Sequence, residues 1–251
     1  MMRQVFTLLL AAWVSVVIPG CTSPTITVVE SVVPPELTAE ERAERTRVSL
    51  DITFYSKRNS LENPYPYVGA VILDGHKIGS GILLDPNSVL TAAHVVLTPG
   101  QYSFEVEGGS PVPVCWLAIH AEPDEHDLAV LTLSSPVLCG SYADITPIKI
   151  PRFKCLITVG YSFGYKKWSK PCTFYYYGVL AGDVNSLKYR NRGFPTWFGD
   201  SGGALIYIDS ATSQGHVVGI LAGIVVVNGE VQECAATKVD NYLDWIQKEA
   251  N

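Results

Sequence analysis

Short β-prone runs recur along this chain from residue 64 onward, and they constrain its fold more than any other feature. The runs are rich in Val, Ile, Tyr and Thr, and turn signals rich in Gly, Asn, Asp and Pro separate them. They cover residues 67–73, 78–84, 88–93, 102–106, 112–120, 128–133, 155–162, 173–181, 204–208, 217–227 and 231–237. Short strands at this spacing, without long amphipathic helices between them, predict an all-β chain of barrels or sandwiches.

One helix is predicted, in residues 239–250. Its apolar side chains recur at positions i, i+3, i+4 and i+7, namely Val239, Tyr242, Leu243 and Ile246. This spacing aligns them on one face, which can dock on the β-structure.

The first fifty residues have a different character. Arg3 precedes an uncharged apolar run of fourteen residues, from Val5 to Ile18. A membrane helix needs about 20 such residues, whereas the core of an export signal needs roughly 7 to 15. We therefore predict a signal peptide over 1–20, a tether over 21–51 and a folded domain over 52–251.

The residues that close the predicted signal bear on localisation. Ile18-Pro19-Gly20-Cys21 resembles the lipobox of bacterial lipoproteins, in which the cysteine becomes the lipidated first residue of the mature chain. The resemblance implies export and a lipid anchor at Cys21 in the bacterial cell envelope, either periplasmic or surface-exposed. The alternative is ordinary secretion with Cys21 as a plain thiol.

Charge excludes one class of partner. The chain has 18 Lys and Arg against 24 Asp and Glu, a net charge of −6, and only 17% of its residues are charged. No basic surface is available to neutralise a phosphate backbone, so we predict no nucleic-acid partner.

Three segments carry side chains suited to nucleophilic catalysis. They read LTAAH at 90–94, HDLAVL at 126–131 and GDSGG at 199–203. Singly, each is weak, because a serine between glycines is usually a turn and a histidine after an apolar strand is usually a core residue. Together they present a base, a carboxylate and a hydroxyl at His94, Asp127 and Ser201, which predicts one catalytic set.

In these segments the chain resembles the chymotrypsin-like serine proteases, also called the trypsin family. The likeness extends to GSGILL at 79–84, whose GSG form is closer to bacterial members, and to residues 237–246. It implies two antiparallel six-stranded β-barrels, over about 64–140 and 150–238, with a C-terminal helix over 239–250. The active site would lie between the barrels.

The resemblance also implies a role for each residue. Ser201 would attack the carbonyl, His94 would take its proton, and Asp127 would fix the imidazole tautomer. The backbone N–H groups of Gly199 and Ser201 would form the oxyanion hole. This chemistry needs no cofactor, and we predict none.

Specificity departs from that of trypsin. Pro195 stands where trypsin has the aspartate that binds basic side chains, and Ala222, Gly223 and Ile224 correspond to the pocket walls. Ile224 replaces a glycine that leaves deep pockets open. We therefore expect a small or medium apolar residue before the cleaved bond.

Activation is expected to differ as well. In many members the aspartate next to the nucleophile, here Asp200, pairs with an N-terminal amine released before an Ile-Val-Gly-Gly sequence. That sequence is absent here. Because a buried carboxylate needs a partner, we expect Asp200 to meet an internal donor or cation, with no activating cleavage.

The remaining histidines are interpreted as structural. His120 and His126 flank Ala121-Glu122-Pro123-Asp124-Glu125, which favours an exposed loop; a metal site is the less favoured alternative, and we predict no metal. The leading function is an exported serine endopeptidase acting on peptides or proteins. The alternatives are a noncatalytic envelope protein that uses the fold for binding, and a structural lipoprotein with a chance motif.

Overall fold

A computed structural model describes residues 63–123, 126–150, 156–164, 166–169, 174–177, 186–191, 196, 198–227 and 230–251. The predicted signal peptide, the tether, Cys21 and Pro195 lie outside these residues.

The first half of the described chain forms a closed antiparallel barrel. Its strands are β1 (Val68–Leu73), β2 (His76–Leu83), β3 (Ser88–Thr91), β4 (Tyr102–Val106), β5 (Val112–Ile119) and β6 (Ala129–Leu133). They follow the order β1-β2-β3-β6-β5-β4 around the barrel. A short 3-10 helix, Ala93–Val95, follows β3.

An aromatic side chain fills the interior of this barrel. Phe104 is fully buried, and two glycines make room for its ring. A Cβ on Gly69 would lie 2.3 Å from Phe104 Cζ, and one on Gly81 would lie 3.2 Å from Phe104 Cε2. The inward residues of the strands therefore pack to native density around Phe104 because these two positions lack side chains.

The second half forms a seven-stranded sheet in the described residues. Its strands are β7 (Leu156–Gly160), β8 (Lys167–Trp168), β9 (Phe174–Tyr177), β10 (Ser186–Asn191), β11 (Ala204–Ile208), β12 (Gly215–Val227) and β13 (Glu230–Lys238). They follow the order β8-β7-β11-β12-β13-β10-β9. Sequence patterns predicted neither β8 nor β10.

The chain then returns to the first barrel. A 3-10 turn, Val239–Tyr242, leads into helix α1 (Leu243–Ala250), whose Ile246 is fully buried. Ser88 Oγ at the start of β3 donates a hydrogen bond to the Ala250 carbonyl at 3.0 Å. Among the described residues, none of the helices is long and apolar enough to cross a membrane.

The predicted all-β class with a C-terminal helix is confirmed. The first barrel is closed and six-stranded, as expected, and the second unit is the seven-stranded sheet.

Candidate active site

Strand pairing brings His94 and Asp127 together although 33 residues separate them. Strands β3 and β6 are antiparallel neighbours, and Thr91 at the end of β3 faces Ala129 at the start of β6. His94 comes three residues after Thr91, and Asp127 comes two residues before Ala129. Both side chains therefore emerge at the same end of the barrel.

The Asp127 carboxylate holds this histidine at two points. Its Oδ2 lies 2.7 Å from His94 Nδ1, and its Oδ1 accepts a hydrogen bond from the His94 backbone N–H at 2.9 Å. With Nδ1 protonated, the imidazole leaves Nε2 as its acceptor. About a quarter of the His94 side chain is exposed, so Nε2 has access to a substrate.

Ser201 stands on a tight turn before β11. The turn is closed by the Gly203 N–H, which donates to the Asp200 carbonyl at 2.9 Å. Gly199 and Gly202 have φ values of +95° and +82°, which L side chains rarely adopt. A Cβ on Gly199 would lie 3.0 Å from Ser162 Cα, so this glycine is required by both backbone conformation and space.

Two sets of backbone hydrogen bonds anchor the turn. On its own sheet, the Gly202 N–H donates to the Leu221 carbonyl of β12 at 2.7 Å. Across to the first barrel, the Ser80 N–H of β2 donates to the Ser201 carbonyl at 2.7 Å. Thr91 Oγ1 in turn donates to the Ser80 carbonyl at 2.7 Å, which links the turn to the strand that precedes His94.

The Ser201 hydroxyl itself is half-buried. No hydrogen bond joins it to His94 in the part of the chain that the structure describes. The structure thus pairs His94 with Asp127 and ties the Ser201 backbone to the same barrel, without closing the Ser201 to His94 link. Such links are often long in the absence of substrate.

The predicted oxyanion donors are the backbone N–H groups of Gly199 and Ser201. Neither donates a hydrogen bond to another group within the described residues. The neighbouring Gly202 and Gly203 N–H groups are both used internally, as described above. The turn therefore leaves the two predicted donors available to an anionic oxygen.

Asp200 meets an internal cation and an internal donor, as the sequence predicted. Its side chain is almost fully buried; Lys167 Nζ of β8 lies 2.8 Å from Oδ2, and the Ser162 N–H donates to Oδ1 at 2.9 Å. The side chain packs against β7, where a Cβ on Gly160 would come within 2.6 Å of Asp200 Oδ1. Lys167 lies between Lys166 and Trp168 and belongs to no recognisable motif, so the sequence alone did not single it out.

The predicted pocket residues are only partly within the described chain. Ala222 forms a bulge in β12, directly after the Leu221 that pairs with the Ser201 turn. Gly223 has open space where a side chain would lie, since an added Cβ meets no atom within 4 Å. Pro195 and the side chain of Ile224 lie outside the described residues.

The segment between His120 and His126 is exposed at Ala121 and Glu122, as expected, but the two histidines themselves are half-buried. The two rings pack edge to face, with centroids 4.6 Å apart, and His120 packs against Tyr242 and Trp245 of the C-terminal segment. His126 Nδ1 lies 2.7 Å from Tyr242 Oη. The histidines are half-buried because they pack against the C-terminal segment, while the charged residue Glu122 between them stays exposed.

The protonation of His120 is affected by this packing. Burial lowers the pKa of His120, the nearby His126 lowers it further, and the Glu122 carboxylate partly opposes both. Among the described residues, no group of three or more His, Cys, Asp or Glu side chains is arranged to hold a metal ion.

Comparison with known proteins agrees with this architecture. Trypsin II-P29 of Gallus gallus is 25% identical over 219 residues, which span 74% of this chain and 85% of that protein. Kallikrein-related peptidase 10 superposes with a TM-score of 0.61 at 23% identity, covering 74% of this chain and 96% of its own. Neuropsin, a serine protease of mouse brain, superposes with a TM-score of 0.61 at 18% identity, covering 77% of this chain and 98% of its own.

The fold is therefore that of the chymotrypsin-type serine proteases. The trypsin-like peptidase domain profile matches residues 79–220, more than half of the chain, and the chain belongs to that family. Membership supports a peptidase function of the serine class, with a peptide or protein as substrate.

Proposed function

We propose that the protein is an exported serine endopeptidase in which Ser201, His94 and Asp127 act together. The observation that carries the proposal is the contact of 2.7 Å between His94 Nδ1 and Asp127 Oδ2, which leaves Nε2 free to act as a base. In this family fold, the same end of the first barrel meets the turn that bears Ser201.

The chemistry begins with attack of Ser201 Oγ on the carbonyl carbon of the substrate, while His94 Nε2 takes the hydroxyl proton. Asp127 stabilises the imidazolium that results. Collapse of the tetrahedral intermediate breaks the C–N bond, and His94 returns the proton to the leaving amine. Water, deprotonated by His94, then releases the acid from the acyl-enzyme.

The negative oxygen of each tetrahedral intermediate needs preorganised donors. Among the described residues the N–H groups of Gly199 and Ser201 donate to no other group, which suits this role, and removal of one such donor lowers the rate by about 10²- to 10³-fold. Availability of both donors in the folded chain supports catalysis rather than simple peptide binding.

The substrate preference we propose is a small or medium apolar residue before the cleaved bond. Pro195 removes the acidic group that a basic side chain would need, and Ile224 adds bulk where the family often has glycine. Profiling with a peptide library tests this preference, and a strong preference for Arg, Lys or Glu contradicts it. Ile224→Gly should shift the preference toward larger apolar residues.

Export and lipid anchoring at Cys21 form a further part of the proposal. Their support is the apolar run of 5–18 followed by the lipobox-like segment. Metabolic labelling with an alkynyl fatty acid in a bacterial host should modify the protein, and Cys21→Ala should abolish the label. Cys139→Ala, which removes a free thiol of the folded domain, is the matched control and should keep it.

A noncatalytic binding protein is the second candidate, because no hydrogen bond links Ser201 to His94 within the described residues. A fluorophosphonate probe separates the two. The wild type should be labelled at Ser201, Ser201→Ala should not react, and Ser210→Ala, at an exposed serine, should react like the wild type. An unreactive, folded wild type would favour the binding protein.

A further inference from the structure

Two side chains from outside the Ser201 turn, those of Lys167 and Ser80, contact residues of the turn. The first is Lys167, whose ammonium group lies 2.8 Å from Asp200 Oδ2. The Lys167 side chain is 12% exposed and that of Asp200 is 4% exposed, so this ion pair is largely removed from water. Charge pairs in such surroundings are screened little by salt, and loss of one partner leaves an uncompensated buried charge.

Asp200 lies between the two residues whose N–H groups are the proposed oxyanion donors. Its Cα carries the carboxylate side chain and joins the two peptide groups on either side. Holding the carboxylate on Lys167 Nζ and the Ser162 N–H therefore limits how far this Cα and the adjoining peptides can move. If the carboxylate lost these partners and turned outward to regain water, the turn would lose this anchor between Gly199 and Ser201.

The neighbouring lysine does not share this role. Lys166 is also buried, but its ammonium donates to Asn63 Oδ1 and to the Tyr65 carbonyl at the start of the described chain. Burial lowers the pKa of Lys166 to about 8. Only Lys167 of this pair contacts Asp200, because consecutive side chains on an extended chain point to opposite sides.

The second side chain is that of Ser80, which is fully buried on β2. Its hydroxyl donates to the Gly199 carbonyl at 2.7 Å and accepts a hydrogen bond from the Tyr161 N–H at 2.8 Å. One hydroxyl of the first barrel thus joins the nucleophile turn to the end of β7. The bond to Ser80 holds the peptide group between Gly199 and Asp200 in one orientation, and this group lies between the two proposed donors.

We propose that Lys167 and Ser80 are positioning residues that hold the Gly199–Ser201 turn in its oxyanion-binding geometry in the uncleaved chain. Lys167 supplies from within the chain the cation that Asp200 requires, so no newly released N-terminal amine is needed. This inference rests on the proposed peptidase function and adds the groups that keep its site assembled.

Substitution of Lys167 is the first test. Lys167→Met should lower kcat on a nitrophenyl ester of an acylated apolar residue by about 10²-fold, the scale of losing one oxyanion donor, with a smaller change in KM. Lys167→Arg keeps the cation and should recover most of kcat. Lys248→Met removes an equally short but exposed ion pair on helix α1 and should leave both constants unchanged.

An inhibitor pair distinguishes positioning from general loss of structure. A peptide aldehyde forms a charged tetrahedral adduct, whereas the corresponding alcohol only occupies the binding cleft. In Lys167→Met, the affinity for the aldehyde should fall by about the same factor as kcat. The affinity for the alcohol should equal that of the wild type. Equal weakening of both ligands, or a folded Lys167→Met with kcat within about twofold of the wild type, would overturn the inference.

Ser80 gives an independent measurement. Ser80→Ala removes the bond to the Gly199 carbonyl and should lower kcat by about tenfold, on the scale of 1.4 kcal/mol for one buried hydrogen bond. Ser80→Thr keeps the hydroxyl and is the matched variant. If Ser80→Ala is as active as the wild type, Ser80 is not a positioning residue.

The uncleaved wild type tests whether the site assembles without cleavage, even if these variants fail to fold. A chain with extra residues at its N-terminus, shown by mass to be uncleaved, should give close to one active site per chain on titration with the ester. Activity that appears only after cleavage would overturn the inference. A chain that reacts in neither form would instead contradict the proposed peptidase function.

Discussion

The first barrel and the second sheet hold their parts of the site by different means. In the barrel, the β3 and β6 ladder brings His94 and Asp127 to one end, so regular pairing fixes their positions. In the second sheet, Ser201 stands on a turn whose shape depends on two left-handed glycines and a buried ion pair. Changes in the barrel should therefore act mainly through stability, and changes in the turn mainly through turnover.

The largest expected effect is an exception to this division, because Asp127 belongs to the barrel but contacts His94, the proposed base. In Asp127→Asn, the amide oxygen can still accept the His94 backbone N–H, while its NH2 group faces Nδ1. That forces the proton onto Nε2, where it blocks proton transfer, and kcat should fall by about 10⁴-fold. Steady-state kinetics at neutral pH measure the loss; unchanged melting temperature is the control for folding.

Next in size is Gly199→Ala, which tests the turn directly. The φ of +95° and the approach of 3.0 Å to Ser162 Cα should displace the N–H groups, and kcat should fall by about 10²- to 10³-fold. Gly75→Ala is the matched control, because Gly75 also has a left-handed φ, of +83°, but has open space around it. Full activity in Gly199→Ala would break the comparison.

A barrel substitution should show the opposite pattern. Gly69→Ala brings a Cβ within 2.3 Å of Phe104 Cζ and 2.6 Å of the Glu105 carbonyl. Overpacking of this kind costs about 1–3 kcal/mol, measured as the free energy of unfolding in urea, while kcat of the folded fraction should stay unchanged. Gly215→Ala, which meets only side-chain ends at 3.2 Å and beyond, should cost less.

The smallest expected effect is on the pH dependence of stability, through His120. The lowered pKa of His120 means that the unfolded chain binds a proton more readily, so this group's contribution to stability is present above about pH 6.5 and is lost as pH falls below it. His120→Phe should reduce the fall in melting temperature between pH 7 and 5.5 by about 2 °C. A steeper fall in the variant would contradict the lowered pKa.

Much of the fold followed from sequence because many strands are short runs of β-prone residues bounded by turn signals. The predicted runs 67–73, 102–106 and 204–208 differ from the observed strands by one residue or less. Strand β10 was missed because SLKYRN has a single aliphatic side chain, Leu187, and its alternation extends only to Tyr189. Strand β8 has only two residues, too few for any pattern.

The site divides in the same way. The contact of His94 with Asp127 could be anticipated because the proposed chemistry restricts the residue types, and the need of Asp200 for a partner followed from the cost of burying a carboxylate. The partner itself could not be named. Lys167 reaches Asp200 through the pairing of β8 with β7, and long-range pairing of so short a strand leaves no local signal.

The return of the C-terminal segment to the first barrel affects the order in which the site can mature during synthesis. Tyr242 contacts His126, next to Asp127, from 116 positions further along the chain, and Thr237 Oγ1 lies 3.4 Å from the Asp127 carbonyl. A ribosome-bound chain of which only the first barrel has emerged therefore lacks these contacts. The surroundings of Asp127 are therefore completed only when the final β-strand and helix have emerged.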